Sequence, residues 1–259
     1  MTGVEVRTVA ALDDLVALDL MLGGIWNPGR PLLGTELLRA LAKAGNYVAA
    51  AYAGGEIVGG CVAFFGPPDA RELHSHVAGV APGQAGRGVG YALKQHQRRW
   101  AQSRGAAAIT WTFDPLVARN AYFNLAKLGA EPVEYLPDFY GTMDDVINGA
   151  DPSDRLLVRW EVAGAAPLTC SAEGGTVVLG PGGTPGPGAS GAPAGEKLLV
   201  AVPRDVESLR ITDPAAAAAW RASVREALTT LIAGGARFVG FDRAGWYVLT
   251  SARGPRTSG

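Results

Sequence analysis

A chain that passes from an apolar strand through a run of glycines into an amphipathic helix has few ways to fold, and residues 73–91, LHSHVAGVAPGQAGRGVGY, do this. Pro82-Gly83 turns the strand, and Gly86, Gly88 and Gly90 lead into the helix. A helix start preceded by glycines offers unpaired backbone N–H groups and the positive end of a dipole, which together suit a phosphate. His74 and His76 stand two apart on the strand that delivers the chain to this loop. Residues at that spacing share a face, so His74, His76, Ala78 and Val80 are expected to point the same way. Imidazole titrates near neutral pH and can take a proton from a nucleophile. Strand, loop and helix start therefore form the expected active centre.

The rest of the chain supplies a scaffold. Residues 4–9 alternate as a half-buried strand, and 11–25 space Leu12, Leu15, Val16, Leu18 and Leu22 at helical intervals. A second helix fits 34–44, followed by β-rich runs at 47–53 and 56–65 that Gly54-Gly55 joins as a hairpin. After the loop, 86–104 reads as a helix with Val89, Leu93, His96 and Trp100 on its apolar side. Lys94, Arg98 and Arg99 are expected to point elsewhere, and His96 to serve packing. A strand at 107–113, a helix at 117–128 closed by Gly129, and strands at 132–136 and 156–162 complete the order βααβββαβαββ, a mixed α/β pattern. The Gly/Pro-rich stretch that follows reads as a linker. Beyond it come a strand at 197–202, a helix with Asp213 as N-cap and Pro214 in its first turn, and strands at 237–241 and 246–249. The expected domains are 1–165, a linker 166–196, and a small βαββ unit 197–259 docked on the first.

Composition excludes several classes. A net charge of -1 gives no electrostatic case for nucleic acid or an anionic membrane as partner. No apolar run is long enough to span a bilayer, and the first residues carry acids where a signal segment would not. Cys61 and Cys170 lie far apart, and His74 and His76 have no third ligand at metal spacing, so no metal is expected. A cytoplasmic protein in a reducing compartment is the simplest expectation.

The element order and the loop Val80-x-Pro82-x-x-Ala85-Gly86-Arg87-Gly88-Val89-Gly90 resemble the GNAT superfamily of acyl-CoA-dependent N-acyltransferases, over roughly residues 4–162. The resemblance implies a GNAT-type central mixed sheet flanked by helices, with the C-terminal βαββ unit as an extension. It also implies acetyl-CoA, or another acyl-CoA, as co-substrate, seated on Gly79, Val80, Ala85, Gly86, Arg87, Gly88, Val89 and Gly90. Two departures stand out. The family usually has Arg or Gln where this chain has Ala85, which leaves the phosphate contacts to main-chain amides. Its next helix usually carries an Asn near the start and a Tyr four residues before Gly-Phe. Here Gly129 matches, Leu125 replaces the Tyr and Ala130 the Phe, so the usual acid for the departing thiolate is missing.

Asn120 and Phe123 remain within reach of the pantetheine arm, and Tyr122 is either a substitute acid or half-buried packing. His74-x-His76-x-x-x-Val80 further resembles the strand of the arylalkylamine N-acetyltransferases. That likeness implies His76 beside the acyl group as base for the amine, with His74 one step further out. Asp114 could orient a histidine, bind the substrate ammonium, or start the helix after Pro115. Asp144, Asp145, Asp151 and Asp154, with Tyr140, form a loop that could attract a cationic amine or be simply solvated. The expected reaction is acyl transfer to a primary amine of a small molecule or amino acid, by direct attack in a ternary complex. An acyl-carrier-protein donor and a non-catalytic CoA-binding sensor are the alternatives. The C-terminal unit could complete the sheet, cover the acceptor or mediate a homodimer.

Overall fold

Strands β1 (Glu5–Thr8), β2 (Tyr47–Ala53), β3 (Glu56–Phe65), β4 (Glu72–Val80) and β5 (Ala108–Phe113) lie side by side in that order. The structure is a computed structural model that describes residues 3–26, 30–141, 143, 151–164, 170–190 and 195–251. Neighbours from β1 to β4 are antiparallel and β4–β5 is parallel, so the sheet is mixed. Gly54 and Gly55, with φ of 60° and 88°, make the tight turn between β2 and β3.

Two adjacent glycines in β3 show how this sheet is covered. A Cβ on Gly60 would come within 2.2 Å of Leu18 Cδ1 on α1 (Leu12–Trp26). One on Gly59 would come within 2.9 Å of Val89 Cγ1 on α3 (Val89–Ser103). Successive strand residues face opposite ways, so α1 and α3 press on opposite faces, and both approach more closely than any side chain would allow. With α1 lies α2 (Thr35–Lys43), and Leu15, Leu18, Leu22 and Leu38 join Val48, Ala50 and Val62 in one apolar core. Asp19, 1% exposed within the buried face of α1, accepts from the N–H groups of Leu32 and Leu33 at 3.0 Å each and ties the following chain to the helix. Helix α3 begins at Val89 rather than Gly86, because Gly86 and Gly88 adopt φ of +79° and +83°, outside helical space.

By compactness the chain divides within β5, after residue 111. The first unit takes the described residues of 3–111 with 161–164, and the second those of 112–160 and 170–251. In the second, α4 (Ala118–Ala121) continues as a π-helical turn (Tyr122–Lys127), and β6 (Glu131–Leu136) pairs antiparallel with β7 (Arg155–Glu161). The same unit contains a four-stranded sheet of order β10-β11-β9-β8. Its strands are β8 (Thr176–Leu179), β9 (Lys197–Ala201), β10 (Arg237–Asp242) and β11 (Trp246–Thr250).

Strand β8 falls in the stretch expected to be linker. It runs parallel to β9, and Gly186 lies so close to the Val177 carbonyl oxygen that a Cβ there would stand 2.2 Å from it. Short helix α5 (Val206–Thr212), also unforeseen, precedes α6 (Pro214–Ala233). On α6, Asp213 caps Ala216 N at 3.0 Å and Pro214 opens the helix, as the sequence suggested. The C-terminal elements are built into the segment that follows β5: Tyr247 Oη donates to the Pro115 carbonyl at 2.8 Å in a buried contact. Among the described residues no helix is long and apolar enough to cross a membrane.

Candidate active site

Strand β4 meets β3 in one register from Leu73↔Phe65 to Ser75↔Ala63, and in another from Val77↔Val62 to Val80↔Gly59. His76 is the extra residue, the centre of a β-bulge. The bulge reverses the alternation of faces. Beyond it, Val77 packs on the α1 core and Gly79 faces Ile25 and Trp26, which leaves Ala78 and Val80 on the α3 side. Before it, Ser75 hydrogen-bonds Lys94 and Gln97 of α3, which puts His74 on the α1 side. Phe64 joins the two histidines there, its ring centroid 5.4 Å from His74 and 6.0 Å from His76. The pair stays together as expected, but Ala78 and Val80 do not share its face, because one inserted residue shifts the period-two pattern.

His74 is half-buried, with Nδ1 3.3 Å from Thr110 Oγ1, and His76 is exposed. Burial pulls the His74 pKa below its ordinary value, and the neighbouring His76 and Lys94 add to the effect. Partial desolvation does the same to His76. Both imidazoles are therefore neutral at pH 7 and able to accept a proton.

The parallel pairing of β4 with β5 ends at His74↔Thr110. From Ser75 to Val80, β4 pairs only with β3 among the described residues, which leaves one backbone edge for a ligand. That edge runs into the loop 81–88. Gln84 N donates to Ala81 O at 3.1 Å, and Arg87 Nη1 donates to Gln84 Oε1 at 3.0 Å. Gly83, Gly86 and Gly88 are left-handed, and a Cβ on any of them would meet nothing within 4 Å. The N–H groups of Val89, Gly90 and Tyr91 open α3 and have no acceptor inside it. Donors, space and an exposed guanidinium at Arg87 suit a diphosphate. Ala85 is exposed and offers no side-chain donor.

The other candidates belong to the second unit. Asp114 Oδ1 accepts from Arg221 Nη1 at 2.7 Å and Leu116 N at 2.9 Å. Its Oδ2 accepts from Arg210 Nη2 at 2.5 Å and Arg221 Nη2 at 2.9 Å. Burial alone would raise this carboxyl, but the two arginines outweigh it and hold the pKa at about 2. With its oxygens so engaged, Asp114 is committed to structure rather than to a histidine or an ammonium ion, and the residue at the N-cap of α4 is Val117.

Asp151 pairs with Arg210 at 2.9 Å. Asp154 takes Arg225 at 2.8 and 2.5 Å and the Tyr135 hydroxyl at 2.6 Å. These two acids are thus neutralised and do not form a lure for an amine; Asp144 and Asp145 lie outside the described residues. Tyr140 Oη lies 3.2 Å from Thr112 Oγ1. Asn120, Tyr122 and Phe123 are half-buried, and Leu125 is fully buried in the π-helical turn. Arg243 and Lys127 lie over the Tyr122 ring at 5.3 and 5.8 Å.

A model of the acetyltransferase (GNAT) family matches residues 19–129, a span that holds the bulged strand, the loop and the π-helical turn. Over these residues the chain is similar to the GNAT acetyltransferases. No curated protein matches the chain in sequence. Among solved structures, an N-acetyltransferase from Staphylococcus aureus Mu50 superposes with a TM-score of 0.51 at 15% identity, covering 62% of this chain and 99% of its own. The ribosomal-protein-S18-alanine N-acetyltransferase from Escherichia coli gives 0.50 at 14% identity, covering 65% of this chain and 99% of its own. A Salmonella typhimurium protein assigned as an acetyltransferase, solved with its cofactor acetyl-CoA, gives 0.50 at 16% identity, covering 65% and 100%. At such identities the likeness is one of fold.

Behind β4 the first unit also holds a polar cluster that no motif announced. Lys94, expected to point away from the sheet, is 4% exposed, and Gln97 is fully buried beside it. Lys94 Nζ donates to Ser75 Oγ at 2.9 Å and Gln97 Oε1 at 3.2 Å, and lies 3.8 Å from the centre of the Trp111 ring. Gln97 Nε2 donates to Ser75 Oγ at 3.0 Å and to Cys61 Sγ at 3.1 Å. Only the helical spacing of Val89, Leu93, Gln97 and Ala101, with Lys94 on its flank, hinted at this, and a lysine is ordinarily placed in water. His96 serves packing, its Nδ1 2.8 Å from the Tyr47 hydroxyl.

Proposed function

We propose that this chain is an acyl-CoA-dependent N-acyltransferase, acetyl-CoA being the default donor, acting on a primary amine of a small molecule or amino acid. The observation that carries the reading is the half-unpaired strand Ser75–Val80 running into the left-handed glycines of the loop. It provides a backbone edge for an amide-bearing arm next to a cradle for its diphosphate. Gly86, Arg87, Gly88, Val89 and Gly90 hold the phosphates, Gly79 and Val80 align the thioester, and the exposed Ala85 makes main-chain contact only. Asn120 and Phe123 are assigned to the pantetheine arm.

The acceptor approaches from the face that bears Phe64, His74 and His76. His76, neutral and exposed, takes the ammonium proton directly or through one water, and the amine attacks the thioester carbonyl. A backbone N–H on the open edge of β4 stabilises the resulting oxyanion. The thiolate leaves and needs a proton. Leu125 cannot supply it, and Tyr122 is the candidate donor we retain.

Replacing His76 with Gln should lower kcat by about 10² or more while leaving acetyl-CoA affinity within about twofold. Thiol release over a panel of amines, paired with calorimetric CoA binding, makes the measurement. Unchanged turnover would remove His76 from the mechanism, and CoA binding without turnover on every amine would favour a sensor.

A further inference from the structure

Four polar side chains, Cys61, Ser75, Lys94 and Gln97, are buried between α3 and the sheet, and the other three converge on the Ser75 hydroxyl. Among the described residues no carboxylate pairs with Lys94. Burying an ammonium without a counter-charge is expensive, and a nonpolar residue of the same volume would suit a helix–sheet contact better. The place where this cost is met is informative: Ser75 stands between His74 and His76, immediately before the bulge.

We propose that Lys94 is a positioning residue for the histidine pair: its ammonium, held on Ser75 Oγ, pins the strand at the bulge and so sets the aim of both imidazoles. The inference rests on the reading of His76 as the base. The bulge inserts its extra residue, His76, outside the β3 register and just past the last β4–β5 pair among the described residues, so neither ladder holds it. A hydrogen bond from a charged donor on the opposite face is the restraint the fold provides.

Position and charge act together. The titratable groups around the ammonium are Cys61 from β3, hydrogen-bonded through Ser75 and Gln97, and His74 from β4; β5 contributes the Trp111 ring. A positive charge behind the strand opposes a second one on His74, which favours the neutral, proton-accepting imidazole.

The test is imidazole NMR of the full-length protein, with kinetics alongside. In Lys94→Met the resonances of His74 and His76 should move and the His74 pKa should rise. The kcat should fall about 10- to 100-fold with KM for acetyl-CoA nearly unchanged. Tm should hold or rise, because an unpaired buried charge has been removed. Ser75→Ala, which removes the acceptor but keeps the charge, should shift the resonances without raising the His74 pKa, and it serves as the probe if Lys94→Met does not fold. Unchanged imidazole signals in a folded variant would overturn the proposal whatever the activity. If His76→Gln proved fully active while Lys94→Met still moved the signals, the base assignment would fail and the positioning would stand.

Discussion

At the scale of single residues, two side chains with lowered pKa values govern how the protein should respond to pH. His76 must be neutral to accept a proton, and its pKa lies below the ordinary value. The acid limb of kcat/KM, measured with an amine of low pKa, is therefore expected below about 6.5 and should vanish in His76→Gln. Lys94 is pulled down to about 8 by burial, against a small opposing effect of Cys61. Between that value and the unfolded pKa of about 10.4 the unfolded chain binds the extra proton, so this lysine adds stability as pH rises across the window. Thermal melts from pH 7 to 10 should show a rise that Lys94→Met lacks. Parallel rises in both proteins would mean that the ammonium is not desolvated as the structure indicates.

At the scale of elements, the loop and the bulge divide the work. Gly88 caps α3 in the left-handed region, which costs a β-branched residue a great deal, and it faces open space where a ligand would lie. Gly88→Val should cost at least tenfold in CoA affinity by calorimetry with α3 still formed by circular dichroism; full affinity would remove the loop from the cofactor site. The loop was legible in the sequence because glycines and a helix start are local signals. The hairpin of β2 and β3 was legible for the same reason: Gly54-Gly55 sits between two β-rich runs. The bulge was not. It is a mismatch between two strands, and nothing in β4 alone says that β3 has one residue fewer to offer. The same holds for Lys94, whose burial is decided by a serine nineteen positions away, and for Asp114, whose arginine partners lie on α5 and α6. Strand β8 was hidden by composition: its neighbours are glycines and prolines, and the parallel partner that makes it a strand lies beyond them.

At the scale of the molecule, the second unit is built around charge. Asp114, Asp151 and Asp154 interlock with Arg210, Arg221 and Arg225, all but Arg225 largely buried. Removing one member leaves an uncompensated charge inside. Asp114→Ala should cost about 3–5 kcal/mol in chemical denaturation, far more than an exposed pair would. Acid should work the same way: the folded pKa of about 2 lies below the unfolded value, so the contribution of Asp114 is present above about pH 4 and lost as pH falls towards 2. A denaturation midpoint that Asp114→Ala leaves unmoved would show the network to be ornamental.

This arrangement also sets a schedule for the newly made chain. Asp114 finds its guanidinium partners 96 and 107 residues later. On the ribosome Asp114 therefore emerges before the two arginines that hold it in the folded protein. A chain shortened to end before α5 would keep the phosphate loop and lose the bidentate and buried partners of Asp114, so its second unit should not fold on its own.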